Sequence, residues 1–316
     1  MSTVMTVTGP VPSEQLGLTL FHEHIFLDLM RDEWTGNTFL NDPELAYREL
    51  MLYKTAGGVS LVDQTSGGLT HNDQYVLPIK HPLAVRQMAE RTGLNIVLGC
   101  GWYRERYYDK SLWRKSTDEI ADELVRDVTE GIEGTDVRAG IIGEIGAHFT
   151  WLSAVEERVL RAAARAQNRT GVALTTHAIG PVGLDQLDIL EEEGVDLTRV
   201  VIGHPQTYDS HEYHLEIARR GAWISFDNIG VLESEPPYDQ RNLLRMTREI
   251  LEAGLIRQLL FSQDVCYRSM NHAYGGHGYD FVSTKLLGRL REIGVTEDMF
   301  LQIMVDNPRR ALTGED

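Results

Sequence analysis

The chain has 316 residues, with 47 acidic against 30 basic side chains and a formal net charge of −17 at pH 7. This charge, without any cluster of Lys and Arg, argues against nucleic acid as a partner. No apolar run approaches the roughly 18 residues that span a bilayer, and no basic segment followed by an apolar core opens the chain, so we expect a soluble, cytoplasmic protein that does not bind membranes. The two cysteines, Cys100 and Cys266, cannot form a disulfide framework, which fits a reducing compartment.

Eight short segments, rich in β-branched residues and bounded by Gly, Asp or Asn, predict eight β-strands. In chain order they are LTLFHEHIFLD near residue 18, VSLVDQTS near 59, NIVLGCGWY near 95, AGIIGEIG near 139, VALTTHAI near 172, RVVIGHPQ near 199, AWISFDNIG near 222 and QLLFSQDV near 258. Most are separated by segments with helical periodicity, of which 151–167 is the clearest. Ser116-Thr-Asp-Glu119 predicts a capping box at the start of another helix.

Alternating strands and helices predict parallel βα units, and eight of them predict an α/β protein with a closed (β/α)8 barrel, the TIM barrel. No linker divides the chain, so residues 1–316 are expected to form a single domain. The alternative is an open doubly wound sheet, which normally has a glycine-rich turn after its first strand. HEHIFLDLM, which includes the end of the first predicted strand, contains no glycine, so the barrel is preferred.

The first predicted strand carries two histidines one residue apart. Because side chains alternate along a strand, His22 and His24 are expected to share one face, with Phe21, Glu23 and Ile25 on the other. Two neutral imidazoles on one face favour a metal site. The alternative is chance, because an isolated H-x-H is a weak signal.

Further polar residues occur where the other predicted strands end, which in a barrel is where active sites form. They are Glu144, His177, His204 and Asp264, on the fourth, fifth, sixth and eighth strands. Any one of them could be a polar residue with ordinary hydrogen-bond partners. Together with His22 and His24 they predict a site where buried carboxylates require counter-charge, which two divalent metal ions would supply.

The order H-x-H, Glu, His, His, Asp on these strands resembles the amidohydrolase superfamily, and the phosphotriesterase-related family in particular. GLTLFHEHIFLD is similar to the opening motif of that family, FSQDVCYR at 261–268 and YGGHGY at 274–279 to its eighth-strand loop, and DNPRR at 306–310 to its closing helix. The resemblance covers essentially the whole chain. It implies the barrel fold, a binuclear metal centre, a hydrolase activity and a homodimer.

Position by position, the resemblance implies that His22, His24 and Asp264 bind the more buried metal, and His177 and His204 the more exposed one. Phosphotriesterase itself bridges the metals with a carboxylated lysine, but no lysine lies between Lys115 and Lys285. The resemblance therefore implies bridging by Glu144, as in the Glu-bridged branch of the family. Where some relatives have a proton-relay Asp, Gln206 stands here, so a relay would run through Asp264 or water.

Two divalent cations that share a water lower its pKa from ~15.7 towards neutrality, which generates a hydroxide nucleophile. Asp264 is the expected catalytic proton acceptor. Tyr103 is a candidate catalytic and substrate-binding residue that would donate to an oxyanion, or it is a packing aromatic. Arg104, Arg106 and Arg268 are candidate ligands for a carboxylate, sulfonate or phosphate of the substrate, or they are ordinary surface arginines.

The sequence therefore favours a metal-dependent hydrolase that attacks a carboxylic ester, lactone or amide, as an esterase, lactonase or amidase. One alternative is phosphotriesterase activity on organophosphate triesters, and another is a catalytically silent metal-binding barrel. The expected partner is a small-molecule substrate. Zinc is the expected metal, although the ligand set also suits manganese, cobalt or iron.

Overall fold

Eight parallel strands form the centre of the computed structural model, which describes residues 2–33, 35–70, 77–148, 150–231 and 240–315. Each strand pairs with the next along the chain, so sheet order follows chain order. The strands are β1 Thr19–Glu23, β2 Ser60–Asp63, β3 Asn95–Cys100, β4 Ile141–Gly146, β5 Ala173–His177, β6 Val200–Gly203, β7 Trp223–Phe226 and β8 Leu259–Phe261. All eight predicted strands are confirmed.

Hydrogen bonds between the ends of β8 and β1 bring the last strand back to the first. The backbone N–H of Asp264 donates to the carbonyl of His22 at 3.1 Å. The buried carboxylate of Glu23 accepts from the Ser262 hydroxyl at 2.7 Å and from the Gln263 and Val265 N–H groups at 2.8 and 3.0 Å. These contacts complete the (β/α)8 barrel that the sequence predicts.

Helices surround the strands and bury their apolar faces against them. They are α1 Pro43–Thr55, α2 His81–Thr92, α3 Thr117–Thr129, α4 Ala154–Thr170, α5 Gly183–Glu192, α6 His211–Arg219, α7 Gln240–Glu252, α8 Leu287–Leu290, α9 Glu297–Leu301 and α10 Asn307–Thr313. The capping box predicted at Ser116 is present before α3. Helix α4 begins three residues later than the predicted 151–167, because Ser153 forms its own capping box with Glu156.

Two antiparallel strand pairs stand outside the barrel. The sequence analysis missed the first, and for the second it assigned Leu27–Asp28 to the first barrel strand. Thr3–Thr6 pairs with Gly9–Pro12, and the N–H of Val7 then donates to the carbonyl of Ile96 in β3 at 2.9 Å. Leu27–Asp28, just after β1, pairs with Phe39–Leu40. No helix within the described ranges is both long and apolar enough to cross a bilayer.

The core has an outer layer between strands and helices and an inner layer inside the barrel. Phe21, Val62, Val97, Ile141 and Leu260 belong to the inner layer. Phe21 was predicted to lie on the strand face opposite His22 and His24, but it packs in this inner layer, so that prediction is wrong. The pairing of β1 with β2 shifts register between Leu20 and Glu23, so strict alternation fails across His22.

Strand β3 lies close to the backbone of β4 beside Gly99. A Cβ atom at this position would lie 2.1 Å from the carbonyl oxygen of Gly143, the residue that precedes Glu144. Any larger residue would push these two strands apart, so only glycine fits this contact.

We expect Gly99→Ala to lower the free energy of unfolding by about 1–3 kcal/mol, because the overpacked methyl group meets backbone rather than a movable side chain. Gly288→Ala is the matched control: this helical glycine of α8 has open space around its Cβ position. It should raise stability by about 0.5–1 kcal/mol through helix propensity. Urea denaturation measures both, and equal effects of the two substitutions would contradict the close-approach argument.

Candidate metal centre

The carboxyl ends of the strands bring five of the predicted ligands into one buried site. His22 lies in β1 and His24 directly after it, while Glu144 lies in β4. His204 directly follows β6, and Asp264 stands three residues after the end of β8. All five are buried. The shared orientation predicted for His22 and His24 is present, since both imidazoles face Asp264.

The described residues contain two clusters of side chains that could each hold a metal ion. One consists of His22, His24 and Asp264, and the other of His22, Glu144 and His204, with the ligand atoms of each within 4.8 Å of one another. His24 Nε2 lies 3.3 Å from Asp264 Oδ1 and 3.5 Å from Glu144 Oε1. Glu144 Oε2 lies 3.5 Å from His22 Nε2 and 3.6 Å from His204 Nε2.

These separations fit ligands that share a cation better than they fit hydrogen bonds. Ligands about 2.0–2.1 Å from one tetrahedral metal ion stand roughly 3.3 Å apart. Within the described part of the chain, His22 Nε2 and Glu144 Oε2 are buried without a hydrogen-bond partner. Such unpaired buried atoms are costly, so the donor set fits divalent metal ions.

The electrostatics of the cluster also favour a cation at its centre. Burial acts to lower the pKa of His24, but Asp264 and Glu144 outweigh it and raise that pKa to about 9. Burial acts to raise the pKa of Glu144, but His22, His204, His177 and His24 outweigh it and hold that pKa below its usual range. The carboxylates therefore demand positive charge, which protons on the imidazoles or bound metal ions can provide.

Two of these side chains lie on residues with an uncommon backbone conformation. His204 has φ 60° and Asp264 has φ 50°, in the left-handed region that side chains disfavour. The N–H of His204 donates to Asp227 Oδ2 at 3.1 Å, and the N–H of Asp264 donates to the carbonyl of His22 at 3.1 Å. These bonds hold strained turns at the point where side chains enter the site.

Asp227, at the end of β7, orients two of the histidines and was missed by the sequence analysis. Its Oδ1 accepts from His204 Nδ1 at 2.7 Å, and its Oδ2 lies 3.3 Å from His22 Nδ1. Both Nε2 atoms are thereby directed at Glu144. The signal in the sequence was the polar pair Asp227-Asn228 that ends the seventh strand, the same position at which the other strands carry candidate ligands.

Two amide side chains connect this carboxylate to Asp264. Gln206 Nε2 donates to Asp227 Oδ1 at 2.9 Å and to Asn228 Oδ1 at 2.7 Å. Asn228 Nδ2 in turn donates to Asp264 Oδ2 at 2.9 Å. The amides fix the orientation of Asp264 but have no ionisable proton to relay.

The sixth predicted ligand, His177, is near the cluster, but Tyr103 contacts its ring nitrogen. Tyr103 Oη lies 2.9 Å from His177 Nε2, and the rings of His177 and His204 are 4.6 Å apart. His177 belongs to neither of the two metal-binding clusters found among the described residues. Burial raises the pKa of Tyr103 well above its usual value, so the phenol keeps its proton.

A cavity of about 410 Å³ opens above the cluster. Its described lining includes Glu144, His177, His204 and Asp264 on the floor. Apolar side chains form much of the wall, among them Leu27, Leu29, Leu69, Ile179, Val231 and Met270. The edge of the cavity is polar and consists of Tyr103, Arg104, Arg106 and Asp32. Because the ligand cluster forms the floor, a small molecule in this cavity would contact it directly.

Arg268 lies outside this cavity, which corrects the prediction that it contacts substrate. Its Nε donates to the carbonyl of Phe39 at 3.0 Å, and its Nη2 donates to Asn41 Oδ1 at 3.0 Å. The guanidinium also stacks 4.0 Å from the Phe39 ring. Arg268 thus attaches the eighth-strand loop to the hairpin after β1.

The model of the phosphotriesterase family matches residues 2–312. The chain belongs to the phosphotriesterase family. A phosphotriesterase homology protein from Escherichia coli is 31% identical over 293 residues, which cover 92% of this chain and 96% of the relative. An N-acetyltaurine hydrolase from Dictyostelium discoideum is 26% identical over 370 residues, covering 98% and 97%.

Solved structures agree with this assignment. A resiniferatoxin-binding protein from Rhodobacter sphaeroides has a TM-score of 0.90 at 34% identity, covering 98% of this chain and 94% of that chain. A lactonase from Listeria monocytogenes has a TM-score of 0.89 at 26% identity, covering 100% of both chains. With named hydrolases among its relatives and ligand clusters in its barrel, this member of the family is a metal-dependent hydrolase.

We expect Asp227→Asn to weaken zinc binding about 10–100-fold, because an amide cannot accept from both histidines and hold their Nε2 atoms on Glu144. Equilibrium dialysis against zinc measures the dissociation constant. Glu49→Gln is the control, since Glu49 is a buried carboxylate that accepts from the N–H groups of His272 and Ala273. If both variants lose affinity equally, general destabilisation explains the loss and Asp227 has no orienting role.

Proposed function

We propose that this protein is a binuclear metal-dependent hydrolase of a carboxylic ester, lactone or amide. The observation that carries the proposal is a cavity whose floor exposes His204, Glu144 and Asp264 while Tyr103 stands at its edge. Ligand atoms, a carboxylate and a phenol would thus face one small molecule in this cavity. A lactonase and several N-acetyltaurine hydrolases among the similar proteins support carboxyl-group substrates, the latter specifically an amide.

The proposed metal ligands combine these clusters with the ligand pattern of the resemblance, since His177 belongs to neither cluster. His22, His24 and Asp264 would hold one ion, and His177 and His204 the other, with Glu144 shared between them. His177 Nδ1, which is buried without a hydrogen-bond partner among the described residues, would be the ligand atom of that residue, while Nε2 contacts Tyr103 Oη. Zinc is the proposed metal, since imidazole and carboxylate suit it, as they also suit manganese, cobalt and iron. When bound, such ions supply an activated water and an electrophile for the substrate oxygen.

Two residues of the chain have proposed roles in the chemistry. Asp264 accepts the proton of the attacking water and delivers it to the leaving group, with its carboxylate held in place by Asn228. Tyr103 keeps its proton and donates to the oxygen on which charge develops. The apolar walls exclude bulk water and strengthen both interactions.

Phosphotriester hydrolysis is the second candidate, supported by the family to which the chain belongs. Both reactions need an activated water and a polarised oxygen, so the ligand cluster alone does not separate them. They differ in the reacting centre, which is planar carbon in a carboxyl substrate and tetrahedral phosphorus in a triester.

We expect kcat/KM for an aryl acetate to exceed that for a dialkyl aryl phosphate with the same phenol by at least about tenfold. The shared leaving group makes the ratio report the shape of the transition state that the site stabilises. Steady-state kinetics with zinc-loaded protein measure both values. A ratio far below one would replace the leading proposal with the phosphotriesterase.

We expect Asp264→Asn to lower kcat for the aryl acetate by about 10²–10⁴-fold, because the amide cannot accept a proton. Metal content, measured by elemental analysis on the same samples, must stay near the parent value for this comparison to report catalysis. An unchanged kcat with metal retained would remove Asp264 from the mechanism. Rates that stay at the uncatalysed background for both metal-loaded and metal-stripped parent protein would favour a catalytically silent barrel.

A further inference from the structure

Two amide side chains bridge the carboxylates of Asp227 and Asp264 beside the ligand cluster. Gln206 lies in the loop after β6, and Asn228 follows Asp227 at the end of β7. Gln206 Nε2 donates to Asp227 Oδ1 and to Asn228 Oδ1, and Asn228 Nδ2 donates to Asp264 Oδ2. Donors and acceptors therefore alternate in one direction from the first carboxylate to the second.

The carboxylates at the two ends determine which way both amide groups face. An ionised carboxylate only accepts hydrogen bonds, so Gln206 must present its NH2 group to Asp227. Asn228 must then present its oxygen to Gln206 and its nitrogen to Asp264. Exchanging oxygen and nitrogen in either amide would place two donors or two acceptors against each other.

The orientation of Gln206 has a cost that supports this reading. Its Oε1 atom is buried without a hydrogen-bond partner among the described residues, and the whole side chain is only 4% exposed. An unpaired buried acceptor is unfavourable, but the opposite orientation would break both bonds that Gln206 donates. The nitrogen of Asn228 is thus held as a donor next to Asp264.

That nitrogen has a hydrogen to spare. An amide NH2 group carries two N–H donors, and Asp264 accepts from one of them. In the part of the chain that the structure describes, Asp264 is the only acceptor for this side chain. Asn228 also lines the cavity, as do Glu144, His204 and Asp264. Its second N–H is therefore available to a molecule bound there.

We propose that Asn228 is a substrate-binding residue whose second N–H donates to an oxygen atom carried by the leaving group. This inference rests on the proposed function, in which Asp264 delivers a proton to the departing atom. Because Asn228 is hydrogen-bonded to Asp264 Oδ2, it contacts the same side of the substrate.

The geometry of an amide sets how far this oxygen lies from the departing atom. Acceptors bound by the two N–H groups of one amide stand roughly 5 Å apart. One of these acceptors is Asp264 Oδ2, which reaches the departing atom directly, so the oxygen lies within about three bonds of that atom. The substrate class is an ester or amide whose leaving group carries a neighbouring carbonyl, ether or hydroxyl oxygen.

The opposing explanation is that both amides only orient Asp264 and that water accepts the second N–H. Orientation of Asp264 affects proton transfer to every leaving group, so its loss would lower kcat for all substrates alike. A donor to the leaving group instead changes the ratio between substrates with and without an oxygen in the right place. That ratio separates the two explanations.

The test compares 2-methoxyphenyl acetate with 2-ethylphenyl acetate, in which a CH2 group replaces the ether oxygen beside the departing atom. Each kcat/KM is divided by the hydroxide-catalysed rate constant of the same compound, which corrects for the leaving group. Both are measured on one zinc-loaded preparation, so their ratio is independent of the fraction of active protein. We expect a preference of about three- to tenfold for the methoxy ester, the effect of one neutral hydrogen bond.

Two substitutions at Asn228 should remove this preference and bring the ratio to about one. Asn228→Ala deletes the amide. Asn228→Asp keeps its size, and a carboxyl group has at most one hydrogen, which Asp264 would accept. Asn95→Ala is the matched control and should leave the ratio unchanged, because this asparagine donates to the carbonyl of Gln15 at the opposite end of β3.

Two further measurements exclude simpler causes of the preference. The 4-methoxyphenyl and 4-ethylphenyl acetates, whose substituents lie too far from the departing atom, should give a ratio of about one. As a binding readout, 2-methoxyphenol should inhibit the parent protein competitively at lower concentration than 2-ethylphenol does, and Asn228→Ala should equalise the two inhibition constants.

Hydrolysis of both 2-substituted esters without preference would overturn this inference and leave the proposed function standing. A preference that survives Asn228→Ala, or one that the 4-substituted pair shows equally, would also overturn it. Failure to hydrolyse any of the four esters would contradict the proposed function itself, and the inference with it.

Discussion

The structure depends on one electrostatic constraint: carboxylates and imidazoles are buried together at the mouth of a barrel and require shared positive charge. Glu144 faces His22, His24 and His204 at 3.5–3.6 Å. Ionised carboxylates are costly in such a place unless a cation balances them. Metal ions meet this demand and also provide the chemistry of hydrolysis, so stability of the site and its activity have the same origin.

The rest of the fold holds this cluster in position. Glu23 links the ends of β8 to β1, which fixes Asp264 beside His22 and His24. Asp227 turns His22 and His204 towards Glu144, and Gly99 allows β4 to approach β3. The cavity above combines apolar walls with this ligand cluster on its floor.

Much of this arrangement could be predicted from the sequence, because it depends on local patterns. Short apolar runs predicted the strands. The site residues His22, Glu144, His204 and Asp264 were predicted because they are polar residues at the ends of strands. The predictions that failed depended on contacts between segments distant in sequence. One is the shift in strand register between Leu20 and Glu23 that places Phe21 inside the barrel, and the other is the set of loop contacts that engage Arg268. Asp227 was missed although it too follows a strand, because its role is to orient His22 and His204, and position at a strand end does not indicate that role.

The central claim is that the cluster holds two divalent metal ions, and metal stoichiometry tests it most directly. Zinc bound per chain would be measured by elemental analysis after equilibrium dialysis at low micromolar free zinc. The account predicts two ions per chain in the parent protein and the loss of at least one in Glu144→Ala, whose side chain is proposed to be shared. A parent protein that retains no zinc, or a Glu144→Ala protein that retains two, would contradict it.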